Sequence, residues 1–119
     1  MPVLRCYGEK GKWVPLIKAR KKTSSWRLWA AATRKRWADH VEGGGEAWLG
    51  RMMSAERYGR VRVTGLEYPR KLASMTDAEA MTDGASAGET AVEWQSKQAK
   101  HFRDKTALYC KVTFVYLGC

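Results

Sequence analysis

Residues 108–117, Leu-Tyr-Cys-Lys-Val-Thr-Phe-Val-Tyr-Leu, hold a single charge among β-branched and aromatic side chains. A run of that composition reads as a central or near-central strand, so the chain must build a sheet around it. Gly59–Leu66 supplies a partner. Val61 and Val63 alternate with Arg60 and Arg62, which makes one face buried and the other basic and hydrated. Ala47-Trp48-Leu49, after Gly43-Gly44-Gly45, is a weaker third strand.

Helical signals lie between these runs. Thr76-Asp-Ala-Glu79 has the spacing of a capping box, and Gly84 supplies a stop. Ser86-Ala-Gly-Glu89 repeats the spacing and opens a longer helix to about Phe102, with Val92, Ala99 and Phe102 on one stripe and Trp94 beside it as a core residue. Lys12–Ala19 reads as a short helix, with Pro15 tolerated only in its first turn. Trp26, Ala30, Thr33 and Trp37 fall on one helical stripe. Helices mixed with separated strands favour an α+β fold over a helical bundle.

The chain has 119 residues and 45% hydrophobic residues, which suits one domain and leaves no room for a second core of useful size. No stretch approaches the ~20 apolar residues of a membrane-spanning helix, and the N-terminus lacks a targeting pattern. Its net charge is +10, distributed unevenly. Residues 1–71 hold 17 Lys/Arg against 6 acids, a net of +11, and residues 72–119 hold 5 against 6, a net of −1. Such a one-sided field concentrates polyanions, and RNA or DNA is the expected partner. The competing reading is a solvated basic face kept for solubility. The expected phosphate-contacting residues are Lys18, Arg20, Lys21, Arg27, Arg34, Lys35, Arg36, Arg60 and Arg62.

Cys6, Cys110 and Cys119 are an odd set without metal-ligand spacing, and His40 and His101 stand alone. No structural metal and no cofactor is expected. Unpaired cysteines suit a reducing intracellular compartment, the cytoplasm being the expected one. Cys110, inside the apolar run, reads as a small buried residue.

Lys21-Lys22-Thr23-Ser24-Ser25-Trp26-Arg27 packs cations, hydroxyls and an aromatic into seven residues. Extended, it would put Thr23, Ser25 and Arg27 on one face and Lys22, Ser24 and Trp26 on the other. A hydroxyl row beside an Arg can hold a phosphate or a polarised carbonyl. A Lys among cations loses its proton more readily and can act as base or nucleophile.

Leu16–Arg27 resembles the opening motif of ASCH domains of the PUA-like superfamily, a short helix running into Gly-x-Lys-Thr-x-x-x-Arg. Leu72–Gly84 resembles that family's Ile-Thr-(Asp/Glu)-x-x-Ala-x-x-(Asp/Glu)-Gly helix. The resemblance spans the chain from about residue 12 and implies a small, partly open β-barrel of about five to six strands with two or three flanking helices, and an irregular arm over residues 1–11. It implies a cleft where the Lys-Thr segment faces the Thr-Asp helix. Family members include RNA-associated modules, amidohydrolases that act on acetylcytidine, and reported ribonucleases. By motif, the hydrolase set falls on Lys22, Ser25 and Asp83, and the Arg closing the motif on Arg27. Lys22 would attack or deprotonate, Ser25 would orient it or stabilise an oxyanion, and Asp83 would shuttle the proton.

Three departures stand out. Arg20 replaces the motif's Gly and would crowd a backbone turn. Ser25 and Asp83 are smaller than their counterparts. Asp83 sets its carboxylate back by roughly 1.5 Å, and a misplacement of about 1 Å can cost ~100-fold in rate. The family pattern also makes Thr23–Leu28 a strand. A strand to about Leu28 followed by a helix from about Trp29 reconciles it with the helical stripe.

Three functions follow as expectations. The first is an RNA-binding module with a basic cleft for a nucleotide or RNA segment. The second is a hydrolase of acylated cytidine or of RNA. The third is a non-enzymatic ribonucleoprotein subunit or protein-partner module, suggested by six tryptophans in a small chain.

Overall fold

The computed structural model describes residues 1–6 and 10–118. Residues 7–9 of the expected N-terminal arm, and Cys119, lie outside the described residues. Five strands form one sheet: β1 (Val3–Cys6), β2 (Ser24–Arg27), β3 (Glu46–Arg51), β4 (Arg57–Arg70) and β5 (Tyr109–Gly118). Their order is β1-β3-β4-β5-β2, with β1 and β3 parallel and the other pairs antiparallel. Four α-helices accompany them, α1 (Lys10–Lys18), α2 (Ala31–Glu42), α3 (Asp77–Asp83) and α4 (Ala91–Lys97), against the two or three expected.

The apolar run of residues 108–117 is β5, paired on one side with β4 and on the other with β2. Its side chains alternate between the two sides of the sheet, and its first half is buried on both. Cys110, Val112 and Phe114 join Leu4, Leu49, Val61 and Val63 in a first core, which α1 plugs with Trp13 and Ile17 and α2 with Trp37. Tyr109 turns the other way and packs with Trp26, Leu72, Met75, Ala80, Ala91 and Phe102 under α3 and α4.

The sheet curls so that its two outer strands approach each other. Arg27 on β2 sends Nη1 to the carbonyl of Arg5 on β1, and Nη2 to Cys6 Sγ at 3.5 Å. A buried guanidinium therefore staples the edges of a partly open, α+β barrel.

Four expectations change. Val3–Cys6 is a paired strand and not part of an irregular arm; four residues are too few for local periodicity to reveal what the pairing with β3 stabilises. Pro15 sits sixth in α1, because the helix starts at Lys10. Trp26 leaves the helical stripe for β2, where β5 pairs it and the second core encloses it, so α2 begins only at Ala31. The last helix begins at Ala91, capped by Thr90 and Glu93, while Ser86 and Glu89 form a turn before it. That shift leaves Val92 74% exposed and buries Ala91 in its place. Among the described residues no helix is long and apolar enough to cross a membrane.

Candidate functional site

α1 ends in a turn at Arg20, whose φ of 58° is left-handed, a conformation that favours glycine, the residue the resembled motif carries there. A side chain there costs about 1–2 kcal/mol. The turn nevertheless closes, with the amides of Lys21 and Lys22 donating to the Leu16 carbonyl at 2.9 and 3.1 Å. Arg20 is accommodated with its side chain outside, its Nε and Nη2 donating to the Tyr116 carbonyl at 3.3 and 3.2 Å.

The chain then delivers Lys22 to the C-terminal end of α3. Lys22 Nζ donates to the Asp83 carbonyl at 2.6 Å and the Ser24 carbonyl at 2.9 Å, and meets Asp83 Oδ1 at 3.3 Å. Asp83 is 5% exposed, and its Oδ2 accepts from Trp94 Nε1 at 2.7 Å. Beside this pair the Thr23 amide donates to the Thr82 carbonyl at 2.8 Å, and the Ser24 and Thr82 hydroxyls bond at 2.9 Å. Gly84 is required behind Trp94: its φ is +126°, and a Cβ there would stand 3.2 Å from the indole ring.

α3 is aimed by its sequence. The Thr76 capping box fixes its start, and Glu79 then anchors it to the sheet. Glu79 accepts from Arg70 Nη1 and Nη2 at 2.8 and 2.9 Å and from Lys111 Nζ at 2.8 Å. The Arg70 hydrogen bonds, seconded by Lys111, hold the Glu79 carboxyl far below its ordinary range. Arg70 itself lies over the Trp26 ring at 4.7 Å, linking the ion pair to the second core.

Lys22 and Asp83 thus meet, and Ser25 does not join them. Ser25 lies in the strand, buried, and its Oγ accepts from Arg27 Nε at 2.9 Å. Arg27, expected to reach phosphate, is 5% exposed and engaged by Ser25, Arg5 and Cys6. In addition, His101 enters the neighbourhood unannounced. Its Nε2 lies 2.6 Å from the Trp26 carbonyl on β2. Burial pushes its pKa down against the opposing pull of that carbonyl and of Asp83. An isolated histidine one residue before buried Phe102 carries no local signal of this placement; only the packing of the segment after α4 supplies it.

Three oxygens surround Lys22 Nζ, so in this arrangement no direction around the nitrogen is left open for attack on a substrate. The pair acts as a clamp joining β2 to α3. Among the described residues no three His, Cys, Asp or Glu side chains gather as a metal site.

The other expected contact residues divide by their partners. Lys18, Arg20, Lys21, Arg36 and Arg62 are exposed and pair with no acid among the described residues. Lys35 pairs with Asp39 at 3.2 Å, Arg60 pairs with Glu46, and Arg34 lies over the Tyr68 ring at 3.6 Å. Arg20 bonds the Tyr116 carbonyl on β5, while Arg62 on β4 stands between Val115 of β5 and Glu46 of β3. None of the six tryptophans is exposed: Trp13, Trp26 and Trp37 are buried, and Trp29, Trp48 and Trp94 half-buried.

No family model and no curated protein matches the chain. Two solved structures resemble it over 99% of its length. One is a DUF984-family protein of Enterococcus faecalis V583, with a TM-score of 0.66, 14% identity and 77% of that chain covered. The other is an ASCH domain from Lactobacillus crispatus, with a TM-score of 0.68, 12% identity and 80% covered. A curled five-stranded sheet, the Lys-Thr turn entering β2 and the Thr-Asp helix set against it together give this chain an ASCH-like fold.

Proposed function

We propose that this chain binds RNA, with the cations of the α1–β2 turn and of β4 tracking phosphates toward the Lys22–Asp83 cleft. The observation that supports the reading is the cluster of Lys18, Arg20 and Lys21 where α1 turns toward β2, exposed and with no acid in ion-pair distance among the described residues. With about four phosphate contacts, the log of affinity for single-stranded RNA should fall against log salt with a slope near −3. Replacing Lys18 and Lys21 together by Gln should flatten that slope by about 1.4. Absence of binding at low salt, or binding indifferent to salt, removes the proposal.

A second reading, hydrolysis of an acylated cytidine, draws on the Lys22–Asp83 contact of 3.3 Å. It requires a ligand to displace an acceptor from Lys22 and Asp83 to take the released proton, with Ser25 giving up Arg27. Purified protein incubated with acetylcytidine tests it, and turnover no greater than that of Lys22→Ala discards it. The ribonucleoprotein-subunit reading draws on Trp29, Trp48 and Trp94, which are half-buried while the other three tryptophans are buried, and fluorescence quenching of the isolated chain tests it.

A further inference from the structure

A concavity of about 350 Å³ opens on the side of the barrel where α2 crosses β4, formed by none of the three residues Lys22, Ser25 and Asp83. α2 contributes Arg34 and Lys35 with the small side chains Ala31 and Ala38, and the floor is Leu66 and the buried Cys110. Tyr68 forms the wall, with 43% of its surface exposed. The guanidinium of Arg34 lies flat enough on that ring to bring Cζ within 3.6 Å of its centroid, and Nη1 is held by the Trp29 carbonyl at 2.7 Å. The volume sits at the small end of the ligand-site range.

We infer that this concavity is a stacking site for one unpaired nucleobase of a bound RNA strand, with Tyr68 and Arg34 as its platform and Lys35 toward the adjoining phosphate. The inference rests on the RNA reading above and deepens it. A tyrosine ring and a guanidinium plane stacked on each other present a flat, polarisable surface, the chemistry by which proteins hold splayed-out bases. Alanines on the helix side leave width for a planar ring where larger residues would close the slot. No carboxylate lines the concavity, so a polyanion approaches it without repulsion from its walls. Lys35 stands at its rim, 79% exposed, and its ion pair with Asp39 is of the exposed i,i+4 kind that a phosphate displaces at little cost. Duplex RNA cannot enter, because its bases are stacked and paired, so the site selects single strands or loops.

The test compares fluorescence-anisotropy titrations of the full chain with a labelled single-stranded RNA and with the same strand carrying abasic nucleotides. Tyr68→Leu should weaken the first by about 5- to 160-fold, the range for losing one base stack, and leave the second unchanged. Ala38→Phe, which fills the slot and removes no charge, should do the same, so the outcome survives if one variant folds poorly. Arg36→Ala, on an exposed part of α2 outside the concavity, should weaken both strands alike and by only a few-fold. Equal affinity of wild type, Tyr68→Leu and Ala38→Phe for the normal strand, with circular dichroism unchanged, overturns the base site and leaves RNA binding standing. A wild type that binds neither strand at low salt overturns both.

Discussion

Glu79 is the most heavily engaged carboxylate described. Its oxygens accept from Arg70 twice, from Lys111 at 2.8 Å and from the Thr76 amide at 3.0 Å, which fills the sites a carboxylate offers. Glu79→Gln keeps the shape but aims an amide N–H at one of these donors and removes the charge between two cations. Each hydrogen bond to a charged group contributes about 1.5–3 kcal/mol, and breaking a fully buried pair costs about 3–5 kcal/mol. Glu79 keeps 16% exposure, so water recovers part of that loss, and the expected cost is about 2 kcal/mol. For a chain of this size that lowers Tm by roughly 6–8 °C, read by circular dichroism at pH 7. The acid limb gives a second reading. The folded pKa of Glu79 lies below its ordinary 4.5, so its stabilisation is complete above about pH 4.5 and is lost as pH falls beneath it. The amide of the variant cannot titrate, so the gap between wild type and variant should narrow from about pH 4.5 downward. Other carboxyls held low, Glu89 and Asp104 among them, contribute equally to both proteins and cancel. A Tm loss under about 2 °C, or a gap that stays constant into acid, would refute the reasoning.

Arg27→Met should destabilise by about 2–4 kcal/mol in denaturant titration, because methionine fills the space but leaves the Arg5 carbonyl and Ser25 hydroxyl without their donor. A loss below about 1 kcal/mol would show that the barrel edges hold without the staple. Arg20→Gly should change stability by less than about 1 kcal/mol, since relief of the left-handed φ is offset by a more flexible unfolded chain and lost bonds to Tyr116. Arg20→Val, β-branched at the same φ, should lose about 2 kcal/mol or more, and equal melting temperatures for the two would contradict this. Gly84→Ala should cost about 1–3 kcal/mol and shift tryptophan emission, as the added methyl pushes Trp94 from Asp83; unchanged emission would mean that the ring does not move.

What is legible in the sequence depends on how local the physics is. β5 declares itself because both its faces are covered, and α3 because Thr76 and Glu79 satisfy each other within one turn. The strand Val3–Cys6 does not, since its stability comes from a parallel partner more than 40 residues away. The start of α4 is ambiguous in the sequence because two capping spacings lie four residues apart. The choice between them is made by where Ala91 packs: its amide also donates to Asp77 Oδ1 at 2.8 Å, a contact between helices. Lys22 and Asp83 are joined in the sequence through motif likeness alone. Trp94 and His101, which complete their surroundings, come from elements whose position no short-range pattern encodes.

The strand parity that is legible also limits the catalytic reading. Ser25 and Arg27 point toward the barrel interior with Cys6, while Ser24 and Trp26 point toward α3 and the second core. Lys22, just ahead of β2, reaches Asp83 on the α3 side, while Ser25 within β2 turns to the other side of the sheet. Bringing Ser25 to Lys22 would require β2 to twist away from β5 and give up the Ser25–Val112 register, which the Ser24–Thr82 contact and the Arg27 staple both oppose. Opening the clamp needs less: a ligand oxygen has only to replace one of three acceptors around the Lys22 ammonium. Such a replacement leaves β2 in register with β5, whereas joining Ser25 to Lys22 does not, and that difference is what the acetylcytidine and RNA experiments would separate.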